Sequence, residues 1–225
     1  MAGAMTVRGL AVALVLLLFP MTARADDTAN INGALRHCEY GDDDAKAWIA
    51  ACTDVISSAG TDSALLSIAY TNRGFADINF ALAGDNDFSK AIADEDEAIR
   101  LNPKDDVAYL NRANARWYSG DYPRALADIE QSLSFNPAEG KGHSLRCEIY
   151  AKMNRLADAI SECKQAVRLG NDKAYTAIDL AAAYEASGDV AEAIAQYRHA
   201  QSLDPDGGYG RKAVQALDRL GANAQ

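Results

Sequence analysis

The sequence predicts an all-α fold, a solenoid built from stacked pairs of antiparallel helices. Two observations carry this prediction: side-chain types recur every 34 residues, and each period holds two helical stretches separated by turn residues. The recurring columns are Ala91, Ala125, Ala159 and Ala193; Ile92, Leu126, Ile160 and Ile194; Ala98, Ser132, Ala166 and Ala200; Leu101, Phe135, Leu169 and Leu203; and Pro103, Pro137, Asn171 and Pro205. A fixed period of this length is typical of stacked supersecondary units and not of a single globular core.

One well-preserved period shows what each unit contains. Residues 107–119 are rich in Ala, Leu, Tyr and Trp and include no helix breaker. Gly120 suits the left-handed end of this helix, and Asp121 suits the N-cap of the next one. Pro123 fits the first turn of the second helix, which ends before Pro137 because proline disfavours helical geometry in the residue before it. The unit is therefore two helices joined by a tight turn, and its columns of small residues allow the helix backbones to approach closely.

At this point the chain resembles the tetratricopeptide repeat family. The matching stretches are Asn111-Arg112-Ala113, Gly120-Asp121-Tyr122, Arg124-Ala125-Leu126-Ala127-Asp128 and Ser132-Leu133-Ser134-Phe135-Asn136-Pro137, and in the last repeat Leu180-Ala181, Tyr184, Gly188-Asp189, Glu192-Ala193-Ile194, Tyr197, Ala200 and Leu203-Asp204-Pro205. The resemblance covers residues 29–205. It implies a right-handed superhelix of four to five repeats, whose shared activity in the family is to hold other proteins or peptides.

The repeat pattern divides the chain into units that differ in regularity. We expect a degenerate helix pair in 26–60, repeats in 61–103, 106–139, 140–173 and 174–207, and a capping helix with a tail in 208–225. The turn Gly84 comes late, which predicts a first helix lengthened around residues 77–83 in that repeat. Its second helix carries Glu95 where other repeats place an aromatic or largely apolar residue. Asn154 replaces the turn glycine of its repeat, and asparagine is the next best residue for a left-handed turn.

The last helix is expected in residues 211–220, after a glycine-rich link at 207–210. Val214, Leu217 and Leu220 fall on one face of this helix. Terminal units of a solenoid depart from the consensus because one of their faces meets water. We therefore expect this helix to cap the C-terminal end of the stack.

The first 25 residues have the pattern of a secretory signal peptide. Residues 10–19 are an unbroken apolar run, and Ala23-Arg24-Ala25 is a small-x-small cleavage pattern before Asp26. An apolar run of ten residues is too short to span a bilayer. An uncleaved membrane anchor is the competing interpretation. We expect cleavage after Ala25 and export, most simply to a bacterial periplasm, without stable membrane insertion afterwards.

Export changes how the four cysteines are interpreted, because an even count outside the reducing cytosol favours disulfides. In the geometry of the resembled family, Cys147 and Cys163 face one another across one helix pair, and Cys38 and Cys52 are arranged similarly in the first unit. The resemblance therefore predicts Cys38–Cys52 and Cys147–Cys163 disulfides. Buried free thiols are the alternative.

Composition disfavours several function classes. The chain has 22 basic and 32 acidic residues and a formal net charge of −10, whereas nucleic-acid binding needs a basic surface that displaces counterions. His37, His143 and His199 lie in different units, without the spacing of a catalytic triad or a metal site. The acidic runs at 42–44 and 85–87 lack the glycine and terminal glutamate of a calcium loop. We therefore expect no catalytic, metal or cofactor site and no nucleic-acid partner.

The remaining candidate site is the concave groove that the first helix of each pair lines in the resembled family. Register places there Asn72, Phe75, Val107, Leu110, Asn111, Asn114, Trp117, Tyr118, Lys141, Glu148, Tyr175 and Asp179. Asparagine side chains can hold a peptide backbone because they donate and accept hydrogen bonds together. Trp117 and Tyr118 offer large contact areas typical of binding hot spots. Alternatively, the asparagines serve local structure, and Trp117 packs within the superhelix.

Some members of the resembled family clamp a C-terminal carboxylate with lysine, asparagine and arginine side chains from three repeats. Asn111 and Lys141 match that pattern here. Thr71, Phe75 and Leu145 stand where the other three clamp residues would be. A clamp for the C-terminal tail of a chaperone is therefore not expected.

Together these observations predict a non-catalytic adaptor or scaffold that binds a protein or peptide segment in its groove. Two alternatives belong to other classes. The protein could be an accessory subunit of an envelope enzyme, such as a protease or a cell-wall synthase, or a self-associating structural module.

Overall fold

The computed structural model describes residues 33–39, 41, 44–58, 62–84 and 86–222. All regular secondary structure in these ranges is helical. The helices are α1 (33–39), α2 (Ala45–Ser57), α3 (Ser63–Ala83), α4 (Ser89–Leu101), α5 (Asp106–Tyr118), α6 (Tyr122–Phe135), α7 (Gly140–Lys152), α8 (Leu156–Arg168), α9 (Ala174–Ser187), α10 (Val190–Leu203) and α11 (Gly208–Arg219). The predicted signal peptide, the predicted start of the first unit at residue 26 and the last three residues lie outside the described residues.

Successive helices pack against one another along the chain, which confirms the predicted all-α solenoid. The most extensive contacts join α3 with α4, α5 with α6, α7 with α8, and α9 with α10. The first helices of neighbouring pairs also touch, in the order α3, α5, α7, α9 and α11. These five helices therefore form one continuous row. The boundaries drawn between units remain a prediction, because a continuous solenoid has no gap to mark them.

The turns within the pairs follow the predicted chemistry. Gly120 and Gly188 adopt left-handed backbone angles, with φ of 79° and 89°, and Asn154 does the same at 58°. The Asp121 side chain accepts a hydrogen bond from the Arg124 backbone N–H and so caps α6. In the lengthened repeat the left-handed residue is Asn86 and not Gly84. The structure therefore moves that turn two residues beyond the predicted glycine.

Helix α3 is longer than the first helices of the following pairs. Helix α3 has 21 residues, whereas the equivalent helices α5 and α7 have 13 each. Phe80 and Leu82, on the added length, are exposed. The other side of the added length is buried, because Ile78 and Ala81 lie in one apolar cluster with residues of α4 and α5.

The expected start of the capping helix was wrong by three residues, because α11 begins at Gly208 and not at residue 211. The Asp204 side chain accepts hydrogen bonds from the backbone N–H groups of Tyr209 and Gly210 at 3.0 and 3.4 Å. A β-carbon on Gly210 would collide with the Asp204 backbone. The glycines thus allow the helix to start close against the preceding loop, and they do not form a separate link.

The columns of small residues are completely buried. Ala91, Ala125, Ala159 and Ala193, and likewise Ala98, Ser132, Ala166 and Ala200, have no exposed surface. All eight lie on the second helix of their pair. Their burial supports the interpretation that small side chains allow the helices to pack closely.

Both predicted cysteine pairs lie at disulfide distance. The Cα atoms of Cys38 and Cys52 are 4.7 Å apart, and those of Cys147 and Cys163 are 5.2 Å apart. The first pair joins α1 to α2, and the second joins α7 to α8. Each pair lies within a cluster of buried apolar side chains.

A ladder of ion pairs, which the sequence analysis did not predict, joins the two helices of three consecutive pairs. Arg73 binds Asp94 at 2.7 Å. Arg112 binds Asp128 at 2.6 Å, and Arg146 binds Glu162 at 2.8 Å. The acidic members recur every 34 residues. Gln196 occupies the next acidic position, so the ladder stops before the α9–α10 pair.

Replacing Cys147 and Cys163 together by alanine is expected to lower the free energy of unfolding by about 3 kcal/mol, the loop-closure contribution for a loop of this length. Urea denaturation of the oxidised wild type and of the variant measures the difference. Thiol alkylation of the native protein without reductant is the control. Four reactive thiols would contradict the pairing.

Candidate functional site

A concave groove runs along the row formed by the first helices of the pairs, and α11 closes one end. Its volume is about 500 Å³. The lining residues are Phe75, Val107, Leu110, Asn111, Asn114, Trp117, Tyr118, Glu139, Lys141, Ser144, Leu145, Glu148, Tyr175, Ile178, Asp179, Tyr209 and Lys212. Of the residues predicted for the groove, all except Asn72 line it. The structure thus brings together side chains from four successive first helices, as expected from register.

Part of the groove wall presents apolar and aromatic surface. Phe75, Val107 and Tyr118 are exposed although they are large and apolar or aromatic. The Phe75 ring meets Trp48 edge-on at 5.7 Å, and the Tyr118 ring stacks on Phe88 at 5.3 Å. These contacts fix the rings, so they can bind a partner at a low cost in side-chain entropy.

Trp117 is less available than Tyr118. It is half-buried and packs against the cluster of buried residues that includes Leu110 and Ile129. Its ring also lies 4.2 Å from that of Tyr118. The alternative that Trp117 packs within the superhelix is therefore partly correct. Tyr118 is the aromatic residue that presents more surface to a partner.

Asn111 lines the groove but is only 8% exposed. Its amide lies beside Glu95, a carboxyl group on α4 that has no exposed surface at all. One Glu95 oxygen lies so close to the backbone of Gly74 that a β-carbon there would be 2.6 Å away. Glycine at position 74 therefore makes room for the carboxyl group, and Asn111 has a structural neighbour as well as a place in the groove wall.

Burial raises the pKa of Glu95 well above its ordinary value, more than the Asn111 amide and Arg112 lower it. Neither carboxyl oxygen of Glu95 has a hydrogen-bond partner of acceptable geometry among the described residues. The Asn111 amide is nevertheless close enough to favour the ionised form of Glu95. Since burial outweighs this effect, the folded protein favours the protonated, uncharged form of this carboxyl group. The unusual residue noted at position 95 in the sequence is thus a buried acid.

The end of the groove that α11 closes is acidic. Burial, and secondarily the Glu148 carboxylate, raise the pKa of Asp179 to about 8 against the opposing charges of Lys152 and Lys212. Burial also raises the pKa of Glu148 against the same two lysines. Burial and the Glu148 carboxylate raise the pKa of Tyr118, whereas burial and both carboxylates raise the pKa of Tyr209. The four side chains therefore interact although they come from four different helices.

Tyr209 and Lys212 are among the groove residues that the sequence analysis missed. Both lie on α11. The capping helix was predicted, but Tyr209 was assigned to the link before it. A helix that starts earlier carries both side chains into the groove wall. The nearby Asp204, an acidic residue before the glycines, was the available signal for that earlier start.

Two histidines pair with acidic residues that are distant in the sequence, which their spacing did not reveal. His143 lies 2.8 Å from Glu162, which also binds Arg146, and His199 lies 2.8 Å from Asp172. Neither pair lines the groove. Within the described ranges, no three His, Cys, Asp or Glu side chains are grouped as a metal site would require. Among the helices of the same ranges, none has the length and apolar character needed to cross a membrane.

Sequence models described as tetratricopeptide repeat match residues 110–174 and 174–206. These residues are therefore similar to tetratricopeptide repeats. The matched segment includes α6 to α10 and most of α5, and the same helix-pair packing continues through α3 and α4. The matched residues thus agree with the resemblance that the sequence shows to tetratricopeptide repeats.

Solved structures support the same fold. A thermophilic tetratricopeptide repeat protein of Thermus thermophilus superposes with a TM-score of 0.65 at 18% identity, covering 84% of this chain and 98% of that one. A MamA fragment from Desulfovibrio magneticus superposes with a TM-score of 0.61 at 18% identity, covering 80% and 97%. Identity this low shows likeness of fold alone. No curated protein matches the sequence.

Replacing Glu95 by glutamine is expected to stabilise the repeats increasingly as pH rises. A carboxyl group with a raised pKa in the folded state binds its proton more tightly there than in the unfolded chain. The wild type therefore loses stability as pH climbs from the ordinary carboxyl pKa towards the raised one, by at most about 1.4 kcal/mol per pH unit. Urea denaturation of both proteins between pH 5 and 9 measures the difference.

The matched control is Glu130→Gln, which changes an exposed carboxylate on α6. Its stability relative to the wild type should stay constant over the same pH range. If the stability difference between Glu95→Gln and the wild type is also constant over this pH range, Glu95 does not behave as a buried acid.

Proposed function

We propose that this protein is a non-catalytic scaffold that holds a protein or peptide segment in its concave groove. The main observation behind this proposal is that the predicted groove residues, apart from Asn72, line one cavity of about 500 Å³. The exposed side chains of Phe75, Val107 and Tyr118 give that cavity an apolar contact surface. Pockets that combine apolar surface with a few polar groups are typical binding sites.

The groove suits an extended segment better than a small molecule. It runs across residues from α3, α5, α7, α9 and α11, so a ligand that fills it must touch several repeats. Many modest contacts along a solenoid can supply affinity without one dominant contact. Asn114, half-buried in the groove wall, can donate and accept hydrogen bonds with a peptide backbone.

We also propose that the protein is exported and acts in the periplasm after cleavage at Ala25. Both cysteine pairs lie at disulfide distance, and disulfides persist in oxidising compartments outside the cytosol. The sequence pattern of residues 1–25 supports the same proposal. The groove would then meet its partner in the cell envelope.

The groove is tested with the double variant Val107→Ser/Tyr118→Ala. Immobilised oxidised wild type should capture a partner from a native envelope extract of the source organism, and the variant should bind it at least about tenfold more weakly. Loss of two hot-spot side chains accounts for that factor. Quantitative mass spectrometry of the bound proteins, followed by titration of the purified partner, provides the measurement.

The matched control is Val190→Ser/Phe135→Ala, which makes the same kinds of change outside the groove. Val190 and Phe135 are 43% and 40% exposed, against 51% and 40% for Val107 and Tyr118. This control should bind like the wild type. A partner that both variants retain would place the binding site elsewhere and contradict the proposal. Asn111 is avoided because its side chain is buried beside Glu95.

A further inference from the structure

The end of the groove closed by α11 gathers acidic and aromatic side chains from four helices. Tyr118 comes from α5, Glu148 from α7, Asp179 from α9 and Tyr209 from α11. We call these four residues the acidic end. Residues so far apart in sequence meet here because the first helices of successive repeats lie side by side and α11 follows the last of them.

The two carboxylates of the acidic end have no short-range partner among the residues that the structure describes. Within the described part of the chain, neither Glu148 nor Asp179 makes a hydrogen bond, and neither belongs to an ion pair within 4.0 Å. Lys152 and Lys212 influence them only from farther away. Two half-buried acids that repel one another favour any ligand that brings a positive charge between them.

The aromatic members of the acidic end add a second attraction for cations. Tyr118 and Tyr209 expose their rings to the groove, and the Tyr175 ring lies 6.1 Å from that of Tyr209. The Lys212 ammonium already sits 5.2 Å from the centre of the Tyr209 ring. Ring faces attract cations electrostatically, and a guanidinium can also stack on them.

We propose that the acidic end binds a cationic side chain, arginine or lysine, of the peptide that the groove holds. This inference rests on the proposed function and specifies the ligand chemistry of the same site. Charge complementarity fixes the occupant: a guanidinium can donate paired hydrogen bonds to a carboxylate while its plane lies on a tyrosine ring. The neighbouring apolar surface at Phe75 and Val107 holds the rest of the peptide.

A dependence on pH follows from the ionisation of Asp179. The raised pKa of about 8 means that this carboxyl group is largely protonated below neutral pH. An arginine peptide binds the ionised form, so its affinity should rise between pH 6.5 and 8.5, by at most about tenfold per unit. The facing groups are Glu148 and Lys152 on α7, Tyr118 on α5, and Tyr209 and Lys212 on α11. Burial keeps the two tyrosines neutral by raising their pKa values.

The test pans a displayed library of random dodecapeptides on the oxidised wild type at pH 8.5. The same library is panned on Glu148→Gln/Asp179→Asn, whose folding is checked by circular dichroism and urea denaturation. The matched control is Glu130→Gln/Asp206→Asn, which removes two exposed carboxylates outside the groove. Selected peptides are then synthesised with arginine and with citrulline, its neutral isostere, for titration.

The expected result is enrichment of arginine or lysine at one peptide position by the wild type and the control. Replacing that arginine by citrulline, or using Glu148→Gln/Asp179→Asn, should weaken binding at least about tenfold, as loss of a charge-assisted hydrogen bond does. The citrulline peptide should show no pH dependence.

Other outcomes overturn the inference. One such outcome is a set of peptides that bind the wild type but not Val107→Ser/Tyr118→Ala, and that carry acidic residues or no excess of cationic ones. That result would reject the cationic ligand and leave the groove function standing. Equal binding of the arginine and citrulline peptides would do the same. Recovery of no peptide above a blank surface would count against the proposed function itself, and this inference would fall with it.

Discussion

Close packing of helices through small side chains is the constraint on which the rest of this structure depends. Eight alanine or serine residues, two on the second helix of each of four pairs, have no exposed surface. A larger side chain at these positions would push the helices apart, because protein interiors are packed without spare volume. Each second helix packs against the first helix of its pair, and the first helices form the groove wall.

Polar groups are distributed unequally over this scaffold. On the pairs α3–α4, α5–α6 and α7–α8, arginines and carboxylates neutralise one another at short range, as in Arg112 with Asp128. In the groove, Glu148 and Asp179 have no such partner within the described ranges, and burial raises their pKa values. Unpaired half-buried charge lowers the stability of a protein unless a ligand compensates it. The ion pairs of the ladder are therefore structural contacts, whereas the carboxylates of the acidic end are candidate binding contacts.

The fold was largely predictable because its determinants are local and periodic. Turn residues such as Gly120 and Asn154 and the alanine columns recur at fixed spacing, and so does the acidic series Asp94, Asp128 and Glu162, which could have predicted the ion-pair ladder. The closure of the groove by α11 could not be predicted, since it depends on how the last helix docks. The burial of Glu95 could not be predicted either, because it requires the space that Gly74 leaves on a different helix.

The most direct measurement for this account is the stability of Ala125→Leu compared with Ala127→Leu. Both changes enlarge an alanine on α6, but Ala125 is fully buried in a small column and Ala127 is exposed. If the small columns hold the helices together, urea denaturation should show that Ala125→Leu lowers the free energy of unfolding by at least about 1–3 kcal/mol. Ala127→Leu should lower it hardly at all. Equal stability of the two variants would contradict the claim that close helix approach at these columns determines the structure.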